Sequence, residues 1–102
     1  MPQRIQLQRR TGWRKPADAV VVTRVTDYGN PYHWRDYGRD ESVRLFRERL
    51  DDPAATPMRC GKRIFPVLTE KHRTRLQGRD LACFCPLDQP CHADALLEWA
   101  NR

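Results

Sequence analysis

No stretch of this sequence is apolar for long enough to cross a bilayer, and the first residues carry no apolar segment of the secretory kind. Membrane-embedded functions are excluded on that reading, and the expected location is the cytoplasm. Acidic residues are missing where they would matter most. Residues 1–15 hold Arg4, Arg9, Arg10, Arg14 and Lys15 and not one Asp or Glu. Residues 59–79 set seven cations against Glu70 alone. Internal repeats and low-complexity tracts are also lacking, which argues against solenoids and disordered tails. Cysteine is sparse, with 4 in 102 residues. In a reducing compartment so few thiols read as metal ligands, catalytic groups or buried packing residues rather than as a disulfide framework.

What is present fits one domain spanning residues 1–102. Its single core is modest, so a metal, ligand or partner would add materially to its stability. The net charge of +6 favours a polyanionic partner or a phosphorylated ligand, a nucleotide or a nucleic acid; a purely solubilising surface is the alternative. Nothing in the chain suggests a membrane partner, and a protein partner stays open.

Ile5 and Leu7 suggest a short first strand. The run Ala19 to Val25 reads as a strand buried on both faces in the middle of a sheet, because it is dense in β-branched residues. The turn-formers of Tyr28-Gly29-Asn30-Pro31-Tyr32 follow at once. A helix is expected from about Glu41 to Leu50, capped by Asp40, with Val43, Phe46 and Leu50 on one face. Residues 54–65 show no clear period. A second helix is expected from Val67 to Leu76, led by Pro66 and stopped by Gly78. Leu81 to Cys85 reads as a strand and His92 to Ala100 as a third helix with an apolar stripe of Ala93, Leu96, Leu97 and Ala100. That order predicts an α/β domain: a short parallel or mixed sheet with about three helices. If residues 19–25 and 81–85 are parallel, the loops after them open at one sheet edge, where α/β sheets bind ligands.

The densest chemistry lies in one such loop. Leu81 to Asp94 contains Cys83, Cys85, Cys91 and His92. Cys83 and Cys85 lie two apart and share a strand face. With Cys91 and His92 they make an acceptable zinc set, although not at the spacing of the familiar fingers. A second reading makes Cys91 a nucleophile, its thiolate favoured by a helix start, with His92 as base and Asp94 as orienting group. On that reading Cys91 is expected to be the most acidic thiol, with Cys60 its rival among Arg59, Lys62 and Arg63. A third makes the turn an anion site, with Arg79 nearby. The plain alternative is that Cys83 and Cys85 are buried strand residues and that His92 caps or packs. A disulfide between Cys83 and Cys85 would close a strained ring.

In the other loop, Tyr28, Gly29, Asn30 and Tyr32 are candidate ligand contacts, through close backbone approach at Gly29, the amide of Asn30 and stacking on the rings. A turn leaving a strand explains Gly29 and Pro31 equally well. Trp34 and Trp99 are expected in the core.

The segment from Leu76 to Pro86, with Cys91-His92-Ala93-Asp94-Ala95-Leu96, resembles the signature of a domain-of-unknown-function family, DUF 4326, found in actinobacteria and their phages. Tyr28-Gly29-Asn30-Pro31-Tyr32 looks like that family's second motif, which usually carries Trp where Tyr28 stands, and Trp13-Arg14-Lys15-Pro16 fits as well. The resemblance implies a small domain with its site at the cysteine turn and implies no reaction. A looser resemblance to the α/β family DUF 488 rests on a strand leading through a Cys-His turn into a helix, and implies a ligand-binding turn.

Overall fold

A computed structural model describes residues 2–102. Three parallel strands form the sheet: β1 (Arg4–Gln6), β2 (Val20–Val21) and β5 (Leu81–Cys83), in the order β1-β5-β2. Between β2 and β5 the chain forms α1 (Trp34–Tyr37), α2 (Arg39–Asp51), an antiparallel ribbon of β3 (Met58–Cys60) and β4 (Arg63–Phe65), and α3 (Glu70–Leu76). The last helix, α4, runs from His92 to Ala100. The expected α/β class is what the chain adopts.

The cysteine-bearing strand is the centre of the sheet. Leu81, Ala82 and Cys83 are all buried, since β5 is covered on both faces and hydrogen-bonded on both sides. The run Ala19–Val25 was expected to hold that place, and this is corrected. Only Val20 and Val21 are strand, at an edge, although the Val22 N–H still donates to the Ala82 carbonyl at 2.9 Å. Beyond it the chain turns through Thr23–Thr26 and Thr26–Gly29 backbone bonds, so Val25 is 75% exposed. β-Branching marks extended backbone here, not central position.

α4 begins and ends where its apolar stripe indicates. Ala93, Ala95 and Ala100 are small enough to let it approach the sheet and α2 closely. With Leu96, Trp99, Phe46, Leu76, Leu81 and Val22 they form one core cluster that includes Cys83 and Cys91. α2 starts at Arg39 with Gly38 before it, so Asp40 lies in the first turn and is not the cap. α3 is shorter than expected: Thr69 precedes it, and the Nδ1 of His72 accepts the Thr69 N–H at 2.9 Å, closing a capping box. Trp99 is buried as expected, while Trp34 is 43% exposed and not a core residue.

Gly29 has a strict packing reason. A Cβ there would lie 2.7 Å from the Arg24 Cα and 2.8 Å from the Phe65 ring. The close approach read from the sequence is therefore to this chain's own backbone, not to a ligand.

Candidate functional site

β2 and β5 are parallel, so the chain leaves both at the same edge, and there the two loops meet. They enclose a cavity of about 320 Å³. Cys83, Cys85, Cys91 and His92 line it from one side; Asn30, Tyr32, His33 and Trp34 line it from the other. Asn30 and Cys91, more than sixty positions apart, thus share one wall system.

Cys83 and Cys85 lie side by side, with sulfurs 3.8 Å apart. Cys91 reaches them from the residue before α4, and the three sulfurs all lie within 4.8 Å of one another. Such a group can hold a metal ion. His92 falls outside that set. Its Nδ1 sits 3.6 Å from the Cys91 sulfur, and its Nε2 bonds to the Val22 carbonyl. Because a carbonyl only accepts, Nε2 carries the ring proton. Burial also holds His92 neutral, pushing its pKa below the usual imidazole value.

Thiol acidity runs opposite to the expected order. The Cys85 sulfur accepts from the Cys83 thiol at 3.8 Å and has Cys91 beside it, which draws its pKa well below the usual thiol value, while the thiols of Cys83 and Cys91 are pushed up. Cys85 is also the one of the three that is only half-buried, whereas Cys83 and Cys91 are 5% and 2% exposed. Cys91, the residue read as nucleophile, is a core thiol. Asp94 does not face it across the cavity. Its carboxylate accepts from the Arg4 guanidinium at 3.1 Å and the Cys91 N–H at 3.3 Å, so it fastens α4 to β1. Arg4 goes on to donate to the carbonyls of Pro86 and Leu87 and pins the cysteine turn from behind.

In the second loop, the Asn30 amide donates to the Ser42 carbonyl and hydroxyl at 3.1 and 2.8 Å and accepts the Tyr32 N–H at 2.9 Å. Both of its amide hydrogens are engaged in holding the loop to α2. Tyr28 is buried and donates to the His72 carbonyl at 3.4 Å. Tyr28 and Gly29 are not in the cavity wall, and Tyr32 is. Arg79 is exposed and precedes β5, at the sheet end away from the cavity.

Three arginines of the wall were not singled out from the sequence: Arg9, Arg24 and Arg39. Arg9 stacks over Phe84 at 4.3 Å, and Arg39 over Trp34 at 4.5 Å. Phe84 and Trp34 are both more than two-fifths exposed at the mouth. Phe84 lies between two cysteines and lines the same cavity with them, because the strand ends at Cys83 and alternation stops there. The arginines carry no local signal, because they come from three separate segments.

The sequence matches the family described as Domain of unknown function (DUF4326) over residues 5–102. The chain belongs to that family. No curated protein and no solved structure matches it. In this DUF4326 domain both motifs behind the resemblance therefore border one cavity.

Proposed function

We propose that this DUF4326 domain is a zinc-thiolate protein that binds a nucleotide unit, free or within nucleic acid, in the cavity over the metal. The gathering of Cys83, Cys85 and Cys91 beside an arginine-lined cavity carries the reading. Zinc–thiolate bonds of about 2.3 Å at tetrahedral angles put sulfurs about 3.8 Å apart. Cys83 and Cys85 stand at 3.8 Å. Thiolates suit soft or borderline ions such as zinc. Three protein ligands leave a fourth position for solvent or ligand, and Cys85 is the ligand nearest that opening. His92 then acts beside the centre as a neutral group packed on Cys91.

The cavity favours binding over hydrolysis. Its wall holds no carboxylate. The Nε2 of His92 is held by Val22, and the Nδ1 of His33 accepts the Arg35 N–H at 3.0 Å. The unprotonated nitrogen of His92, Nδ1, faces the Cys91 sulfur at 3.6 Å, so the imidazole packs on a thiol of the trio. Trp34, Phe84 and Tyr32 offer stacking faces for a base, and the arginines offer donors to phosphate.

Elemental analysis of protein purified without chelator is expected to find one zinc per chain, and Cys85→Ser to reduce that occupancy. Calorimetry with nucleoside monophosphates is expected to show binding that Trp34→Ala weakens. Protein purified without chelator that holds no metal, and takes none up when zinc is added, would end the zinc reading, and absence of any nucleotide binding would end the ligand reading. A second reading, a zinc-stabilised interaction module with a protein partner, draws on the burial of Cys83 and Cys91 in the core. It predicts zinc-dependent folding with no nucleotide bound.

A further inference from the structure

Several cations of this molecule are neutralised by carboxylates. Arg44 pairs with Glu41 and Glu48, Arg47 with Glu98, and Arg102 with Asp51, all on α2, α4 and the C-terminal end. Around the cavity and on the β3–β4 ribbon the pattern reverses. Among the described residues, Arg9, Arg24, Arg39, Arg59, Lys62 and Arg63 have no carboxylate partner. Unpaired cations also lie on the N-terminal segment, α3 and the turn before β5; what sets this group apart is that it runs from the cavity wall onto the ribbon.

The ribbon is joined to the cavity through Arg24. One arm of its guanidinium donates to the Asn30 carbonyl, and the other lies 3.4 Å from the Cys60 sulfur. Arg24 and Arg63 both stack on Phe65, at 5.1 and 5.7 Å from the ring centre. Two guanidiniums share one ring with no counter-charge between them, and the Arg63 Nε is buried without a hydrogen-bond partner. From there the cations continue to the ribbon tip at Lys62. Arg59 lies opposite Ile64 in the β3–β4 register, so the two project from one face, and both are exposed. Ile64 beside Arg59 sets an apolar residue next to a cation on the open face of the ribbon, the face opposite Arg63 and Phe65, and that pairing suits a sugar–phosphate surface better than bulk water.

We propose that the β3–β4 ribbon is the backbone track for a single-stranded nucleic acid, one base of which enters the cavity. This rests on the reading that the cavity takes a nucleotide unit. A single strand is specified because a recessed cavity admits a base that is unstacked and unpaired, and the rings at its mouth supply stacking faces.

The test is a salt series of oligothymidylate binding, read by fluorescence anisotropy, for the native protein and for the double variant Arg59→Ala/Lys62→Ala. Both residues are exposed, so the fold and the zinc content are expected to be unchanged. Each lost phosphate contact on a single strand flattens the slope of log K against log salt by about 0.7, so the double variant is expected to lose about 1.4. Its affinity for thymidine monophosphate is expected to match that of the native protein. Lys62→Glu, at the loop tip, is expected to weaken oligonucleotide binding further. An unchanged slope overturns the track. So does duplex DNA bound as tightly as the single strand. If the monophosphate binds and the oligonucleotide binds no tighter, the ribbon proposal fails while the cavity reading stands. If neither binds, the cavity reading fails and the ribbon proposal falls with it.

Discussion

Three side chains in this molecule test the site most directly, and each does so through a different kind of contact. Trp34 stands at the cavity mouth and stacks with Arg39, but it is not packed into the core. Trp34→Ala is therefore expected to leave unfolding free energy within about 0.5 kcal/mol of the native value, as for most surface changes. It should reduce nucleotide affinity by about 1–3 kcal/mol if the ring carries a stacked base. Equal loss of stability and affinity would return Trp34 to a structural role. Cys85 is the accessible thiol of the trio, so in metal-free protein near neutral pH it should be alkylated before Cys83 and Cys91. Peptide mapping of partly labelled protein reads the order, and first labelling at Cys91 would contradict the geometry. Arg4 binds Asp94 and two carbonyls of the cysteine turn with a side chain that is 7% exposed. Removing such a charged donor network costs about 1.5–3 kcal/mol. Arg4→Ala is expected to show that loss in urea unfolding, together with weaker zinc retention against a chelator. Normal zinc retention would mean that the turn holds its shape without Arg4.

At the scale of elements, the sequence was most readable where period and punctuation agreed. The stripe on α4 and the short β1 emerged at nearly their true bounds. The parallel pairing of β2 and β5, inferred from order alone, brings the two loops together. The ribbon was missed because each of its strands is three residues long and its turn is Gly61-Lys62, flanked by Cys60 and Arg63. No alternation can be seen across three residues, although Gly61 at φ +63° is the left-handed turn position that glycine favours. The site was legible in its cysteines and illegible in its arginines. Cys83 and Cys85 announce themselves by spacing, whereas Arg9, Arg24 and Arg39 meet only after folding. Gly29 shows how a correct residue can carry the wrong reason. Its missing side chain makes room for Arg24 and Phe65, and Gly29→Ala should destabilise by about 1–3 kcal/mol, as overpacking does. Thermal melts check this, and an unchanged midpoint would show that the Arg24 backbone can move aside.

For the molecule as a whole, the decisive feature is that the thiol trio and the core share residues. Cys83 and Cys91 are members of the cluster that contains Leu81, Leu96 and Phe46. They come from the centre of the sheet and the start of α4, so a metal held between them ties the two layers together. In a chain of 102 residues the burial available on folding is limited, and on the proposed zinc reading a link of this kind would supply a large share of the net stability. A ligand at a thousandfold excess over its dissociation constant stabilises the folded state by about 4 kcal/mol. For a domain of this size each kcal/mol moves the melting midpoint by about 4–8 °C. Chelation is therefore expected to lower the midpoint by well over 10 °C, with re-addition of zinc restoring it. Hydrogen exchange should show the loss first in β5 and the start of α4, and the β3–β4 ribbon should be little affected because no thiol of the trio belongs to it. A metal that dissociates without moving the midpoint would place it on the surface of the fold and detach it from the core. The cavity would then have to be explained by its arginines and rings alone.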